Sequence, residues 1–158
     1  MTIDPDAFRS LLGRFASGIT IVTTVDDDGH DVGMTVSAFA SVSLDPPLVL
    51  VCVAREASVF FTITAAPRIV VNVLASAQQE LSRRFAGPVW DRFEGLGVQR
   101  APGGAPILDG VLAWCECRVV QRHVAGDHVV LVAEVERGEA ADREPLLYYR
   151  GGYAQLDR

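Results

Sequence analysis

The chain contains no lysine: all 14 of its basic residues are arginine. This absence removes Schiff-base chemistry, which needs a lysine amine, and any phosphate loop that depends on a lysine. Histidine and cysteine are scarce. His30, His123 and His128, with Cys52, Cys115 and Cys117, show neither CxxC nor HExxH spacing, so no metal site is expected. No GxSxG elbow frames a serine nucleophile. Long apolar runs are missing too, since the longest, Leu48 to Ala54, is far too short to cross a bilayer. The start, Met1-Thr2-Ile3-Asp4-Pro5-Asp6, lacks the basic and apolar regions of a signal peptide, and a cytoplasmic address is the expectation. With 20 acidic residues, a formal charge of −6 and a pI near 5.0, a broad nucleic-acid surface is not expected either.

What is present is a chain of 158 residues, 49% hydrophobic, with a mean hydropathy of +0.24. That is enough to bury a core, and one domain over residues 1–158 is expected, because domains usually run to about 100–200 residues. Cys115 and Cys117 alternate about Glu116 in a β-type run. They would face one side with Cα atoms roughly 6–7 Å apart, near the upper limit for a disulfide, and the odd cysteine count favours reduced, buried thiols.

Asp4 reads as an N-cap and Pro5 as the first helical residue, with Phe8, Leu11, Leu12 and Phe15 at helical spacing before Gly18. Ile19 to Val25 and Val32 to Phe39 read as a hairpin around Asp26-Asp27-Asp28-Gly29. A short strand, Ala40 to Leu44, stops at Asp45-Pro46-Pro47, and Leu48 to Ala54, apolar on both faces, should be central. Ser58 to Ala65 reads as a helix, Ile69 to Leu74 as a strand and Ala77 to Arg84 as a second helix. Between Phe85 and Gly110, eight glycines and prolines mark a long surface excursion, a feature more often functional than idle. Val111 to Arg122 and His128 to Arg137 form two long strands around Ala125-Gly126-Asp127, and Leu146 to Tyr149 a last short one. Strands without regular helix alternation predict a mainly β, closed antiparallel barrel with a few short helices.

Three stretches could carry chemistry. In Gly33 to Ser43, small and hydroxylated residues crowd the junction of two strands. A flat ligand could lie there against the backbone, although an ordinary sheet with serine and threonine on its wet face has the same composition. Arg55-Glu56-Ala57-Ser58 follows a buried strand and opens a helix, which suits either a phosphate or a plain capped helix. Gly126-Asp127-His128 is a good turn and also delivers a histidine to a strand end.

The order of the segments says more than any one of them. GMTVSAFASVSLDPPLVLVCV, NVLASAQQELSRRFAG, DRFEGL, AGDHVVLVAEV and PLLYYRGGY, in that order, resemble the short-chain flavin reductases that supply two-component flavin monooxygenases, over about Phe8 to Tyr153. The resemblance implies an antiparallel split β-barrel of Greek-key type, homodimeric, which binds FMN or FAD and uses NADH or NADPH. It carries flavin contacts over to Thr35, Val36, Ser37, Ala38, Ser41, Cys52, Val53, Ala54, Arg55 and Ser58, and to Arg84 and Phe85. It places Gly126, Asp127 and His128 on the nicotinamide side, with His128 as the catalytic candidate. The chain departs from the family pattern at Val70-Val71, where an aromatic often precedes Asn72, and at Ala133, which replaces a frequent glycine.

The implied activity is hydride transfer from NAD(P)H to flavin, with reduced flavin diffusing to a partner monooxygenase. It calls for no side-chain nucleophile, and the sequence offers none. The competing readings are a non-catalytic flavin-binding carrier or regulatory barrel, and a split-barrel enzyme acting on a pyridoxine-type phosphate. The missing lysine counts against the latter.

Overall fold

The computed structural model describes residues 1–157. Helix α1 (Pro5–Leu12) begins as expected, with the Asp4 carboxylate accepting from the Ala7 amide at 3.0 Å, but it stops before Phe15 and buries no residue. After the short β1 (Ser17–Gly18), strands β2 (Thr20–Val25) and β3 (Asp31–Val36) form the predicted hairpin. Its turn is closed by Asp26 Oδ1, which accepts from the amides of Asp28 and His30, and by Gly29 at a φ of +85°.

The returning strand ends at Val36 rather than Phe39, because Phe39 opens β4 (Phe39–Leu44). Strand β5 (Pro47–Ala54) starts one residue earlier than expected, on Pro47, paired with Leu44. A first position tolerates proline, whose ring costs no interior ladder bond there. Helix α2 (Phe60–Ala65) follows, then β6 (Arg68–Val73), a single 3₁₀ turn at Ser76–Gln78, and α3 (Gln79–Ala86). Both helices begin two residues later than expected.

The Gly/Pro-rich stretch is not a surface excursion throughout. It contains the hairpin β7 (Val98–Arg100) and β8 (Pro106–Leu108), and it buries Ala101, Ala105, Ile107 and Leu108. The long hairpin β9 (Ala113–Ala125) and β10 (His128–Ala140) turns on Gly126 at a φ of +62°, the positive φ that a tight hairpin turn needs at its first position. Strands β11 (Leu147–Tyr149) and β12 (Gly152–Ala154) close a small sheet with β1; β1 and β12 were not expected.

The main sheet is antiparallel, in the order β3-β2-β6-β9-β10-β5-β4, and β5 lies inside it as predicted. Its two edge strands, β3 and β4, are nevertheless joined by only Ser37 and Ala38. Three Cα–Cα steps of about 3.8 Å cannot bridge a flat seven-stranded sheet whose neighbours lie about 4.8 Å apart, so the sheet curls until its edges approach. Val22, Val51, Val53, Ile69, Val71 and Leu131 fill the inside of that curl. Cys115 and Cys117 are free thiols with their sulfurs 3.6 Å apart, and Cys117 is buried, as expected. Among the described residues no helix is long and apolar enough to cross a membrane.

One buried amide joins the sheet to the stretch after α3. Asn72 donates to the Ile21 carbonyl at 3.0 Å and to Thr23 Oγ1 at 3.1 Å, while its Oδ1 accepts from the Leu108 amide at 2.9 Å. Asn72→Ala is expected to lower the unfolding free energy by about 2–4 kcal/mol, because it strands buried partners in an apolar surround. Urea unfolding measures this, and a loss below about 0.5 kcal/mol would mean that water replaces the amide.

Candidate functional site

Strand β5 brings the three candidate stretches together. On one side it pairs with β4, and the Cys52 amide donates to the Ala38 carbonyl at 3.0 Å, so the Ser37-Ala38 link lies against the end of β5. On its other side it pairs with β10, where Ala54 stands opposite His128 and the Arg55 amide donates to the Asp127 carbonyl at 2.9 Å. Residues 35–41, 52–58 and 126–128 thus surround one strand end.

Within this cluster the side chains divide by environment. Ser37, Ala38 and Ser41 are exposed, and Ser41 sits beside a break in the β4–β5 register, a common feature next to functional sites. Val36 and Val53 point into the core, which leaves their backbone as their contribution to the surface. The Thr35 hydroxyl donates to the Ser82 carbonyl of α3 at 2.7 Å and so is already engaged. Burial pushes the Cys52 thiol above its ordinary pKa, so it is a neutral neighbour and not a thiolate. His128 is half-exposed, with Nδ1 2.7 Å from Asp127 Oδ1, a contact that holds the Asp127 carboxyl below the usual carboxylate range.

The arginines show which cations are free. Arg68, Arg100, Arg118 and Arg137 face carboxylates, and Arg122 and Arg143 donate to backbone carbonyls. Among the described residues, only Arg55 and Arg150 have guanidinium groups without a hydrogen-bond or ion-pair partner. Ser58, three residues after Arg55, is exposed and its hydroxyl is likewise unengaged among the described residues. A free guanidinium and a free hydroxyl beside a backbone-lined seam fit a phosphate attached to a flat ring.

Two predicted contacts lie elsewhere. Arg84 Nη2 donates to the carbonyls of Asp91 and Glu94, at 2.9 and 2.7 Å, and its Nε is buried without a partner. Phe85 is 1% exposed; its ring packs edge-on against Phe93, with centroids 5.0 Å apart, over Gly33. Both side chains hold the chain after α3 in place; Phe85 is buried and Arg84 half-buried. Arg83 pairs with Glu80 and lies 5.3 Å from the Tyr153 ring centre.

The segment they hold was missed by residue-level reading. Arg92 donates to the carbonyls of Gly33 and Gly87, at 2.7 and 2.8 Å, and fixes residues 89–93 as one wall of a cavity of about 820 Å³. Ser58 and Val59 also line it. The sequence signals were the Gly/Pro density between Phe85 and Gly110, which marks a stretch without picking out residues, and DRFEGL, which carries no spacing rule of its own.

The chain is similar to known proteins over nearly its whole length. The family model described as "Flavin reductase like domain" matches residues 12–157. The reductase subunit of stachydrine N-demethylase from Rhizobium meliloti (strain 1021) is 45% identical over 150 residues, which are 95% of this chain and 65% of that protein, so this chain spans less than two thirds of that relative. The reductase subunit of a flavin-dependent monooxygenase from Mycobacterium tuberculosis is 42% identical over 158 residues, 98% of this chain and 84% of that one. The solved structure of a Streptomyces globisporus NADH:FAD oxidoreductase in complex with NAD and FAD fragments superposes with a TM-score of 0.91 at 33% identity, covering 99% of this chain and 97% of that one. Matched by the family model over nearly its whole length, and by relatives well above the identity at which families separate, the chain belongs to the flavin reductase-like domain family.

Proposed function

We propose that the protein is an NAD(P)H:flavin oxidoreductase that reduces FMN or FAD and releases the reduced flavin to a partner monooxygenase. The observation that carries this reading is the convergence, at the end of β5, of an exposed small-residue seam, an unengaged Arg55–Ser58 pair and the Asp127–His128 turn. Bound flavin supplies the electron-accepting ring, which takes a hydride from the nicotinamide C4. The chain's own residues bind and orient. The backbone of Val36 to Ala38 and of Cys52 to Ala54 offers N–H and C=O groups to the ring edge, and Arg55 and Ser58 hold the phosphate. Thr35 and Arg84 act through α3 and the 91–94 segment that they fix. His128, oriented by Asp127, positions the donor at the opposite side.

The curl imposed by the Ser37-Ala38 link supports a split β-barrel formed from a single domain over the whole chain. The free thiols of Cys52, Cys115 and Cys117 suit a reducing, cytoplasmic setting. Helix α1 supports a homodimer, since Phe8 and Leu11 stand 52% and 61% exposed on its apolar face, with Phe15 just beyond the helix at 82%, and nothing among the described residues covers them. Light scattering at micromolar concentration is expected to give twice the 17.0 kDa of one chain; a value of 17.0 kDa would refute the dimer.

Purified protein is expected to oxidise NADH or NADPH only when FMN, FAD or riboflavin is supplied. A flavin-saturated sample inert toward both donors would leave a flavin carrier as the reading. His128→Ala is expected to raise the KM for the donor and to slow hydride transfer several-fold with flavin affinity near the parent value. Equal losses of flavin and donor binding in that variant would put His128 on the flavin side of the site.

A further inference from the structure

Two thiols that the flavin chemistry does not use lie in contact. Cys115 and Cys117 alternate about Glu116 on β9, and the Cys117 thiol donates to Cys115 Sγ at 3.6 Å. Their surroundings differ. Cys117 is fully buried in the apolar interior, whereas Cys115 is half-buried and packs against the same cluster. Opposite Cys115 on β10 stands Gly138, where a Cβ would lie 3.2 Å from Cys115 Cβ, so the missing side chain leaves space beside Cys115 for a molecule of a few atoms. The ladder is irregular at the same place. Cys117 pairs with Val135 and Glu116 with Arg137, which leaves Glu136 as an extra residue in β10. A strand that faces a bulge is not held at every rung, and β9 has room to contract there.

The contact also divides the two sulfurs chemically. Hydrogen bonding from Cys117 holds the Cys115 thiol below its ordinary pKa, while the same contact and burial push Cys117 above it. Burial raises Cys52 as well, so Cys115 alone of the three thiols is shifted towards the thiolate, the form that attacks an electrophile. Residues two apart on a strand have Cα atoms roughly 6–7 Å apart, the upper end of what a disulfide spans. A bond made there is strained and easily reduced, which suits a reversible mark and not a permanent staple. Glu116, between the two, accepts from the Gly103 amide at 2.8 Å and faces Arg137. Drawing the sulfurs to a bond length of roughly 2.05 Å therefore pulls on the residue that anchors the Gly/Pro-rich stretch.

We infer that Cys115 and Cys117 form a dithiol that hydrogen peroxide oxidises to a reversible disulfide, with Cys115 as the attacking sulfur and Cys117 as the resolving one. The Cys115 thiolate takes one peroxide oxygen as the O–O bond breaks and hydroxide leaves, which gives a sulfenic acid. The Cys117 sulfur then attacks the Cys115 sulfur, the S–O bond breaks, and the hydroxide departs as water with the Cys117 proton. The proton shed by Cys115 turns the first hydroxide into water, so two thiols and one peroxide yield one disulfide and two waters. The inference stands apart from the flavin reading; where that reading holds, reduced flavin that meets dioxygen passes it two electrons and two protons and so makes the peroxide.

The test treats the purified, flavin-free chain with hydrogen peroxide, alkylates the remaining thiols and cleaves after arginine. Cys115 and Cys117 then share the peptide Ala101 to Arg118, and Cys52 lies in Phe15 to Arg55. The first peptide is expected to appear unalkylated and lighter by two hydrogens, to form several-fold faster than Cys52 is oxidised, and to regain both thiols with dithiothreitol. Cys117→Ser, whose hydroxyl can still donate to Cys115, should stop at a Cys115 sulfenic acid that dimedone traps, and Cys115→Ser should leave Cys117 unoxidised at the same dose. Oxidation of Cys52 first, oxygen added to Cys115 without loss of the two hydrogens, or a disulfide between chains would each overturn the inference. So would no reaction of the parent, a result that needs no variant to fold, and a dimedone adduct on Cys117 in Cys115→Ser would overturn the roles assigned to the two sulfurs. None of these outcomes depends on flavin or nicotinamide, so the proposed function stands or falls separately.

Discussion

Two residues, Ser37 and Ala38, connect strands that sit at opposite edges of a seven-stranded sheet. No flat or gently twisted sheet can satisfy so short a link, and the right-handed twist of strands supplies the coiling that does. As the edges approach, the inner face becomes an apolar interior and the seam becomes a place where the ladder is incomplete. There the Cys52 amide reaches past β4 to the Ala38 carbonyl, and the Phe39 amide folds back on Ser37. Small side chains at this seam keep the backbone open to a ligand; a bulkier residue at Ser37 or Ala38 would cover it. The same link that shapes the sheet thus creates the surface on which a flat ring can rest.

Polar residues inside the curl are stitches between layers. Strand β2 is buried on both faces, yet it carries Thr20, Thr23 and Thr24, whose hydroxyls donate to the carbonyls of Val36, Pro106 and Arg68. A buried hydroxyl is tolerable only with a partner, and here each partner belongs to another strand. Asn72 extends the pattern to Leu108, and the buried carboxylate of Glu116 accepts from the Gly103 amide while Arg137 approaches it. These bonds draw the Gly/Pro-rich stretch into the core. Gly103 has no room for a side chain, since a Cβ there would stand 2.8 Å from Glu116 Oε2 and 2.9 Å from Arg68 Cδ.

Much of the fold was legible because local chemistry and tertiary placement agree. The Asp4-Pro5 cap, the aspartate-rich turn closed by Gly29, the apolar β5 and the Gly126 turn are each written in a few neighbouring residues. The boundary at Val36 was not legible, because Val32 to Leu44 is one β-type run whose break is set by the far edge of the sheet. The stretch after Phe85 misled for the opposite reason: glycine and proline density reads as loop, and the apolar stretch Ala105 to Leu108 is too short to show a period. In the site, each candidate stretch alone fitted a bland explanation, and only their order distinguished them. Arg84 and Phe85 matched by position, yet where the Phe85 ring packs depends on Gly33, 52 residues upstream and without a side chain to hold it off, and where Arg84 points depends on the carbonyls of Asp91 and Glu94.

The lack of lysine has a structural counterpart in how this chain uses arginine. A guanidinium can hold two carbonyls at once in a fixed fork, which an ammonium on a flexible stem does less well. Arg84, Arg92 and Arg122 each bridge two backbone carbonyls, and so brace segments that glycine and proline would otherwise leave loose. With the other arginines engaged by carbonyls or carboxylates, Arg55 and Arg150 are the two described arginines whose guanidinium groups nothing holds, and Arg55 is the one beside the end of β5. Hydride transfer between two ring systems asks a protein for rigidity, exclusion of water and one well-placed positive charge, and not for a nucleophile. On the proposed reading, a reductase that must also release its reduced flavin gains from an open seam in which Arg55 is the free guanidinium. A deeper cationic clamp on the phosphate would raise affinity for the oxidised and reduced flavin alike and slow the departure on which, in that reading, a partner oxygenase depends.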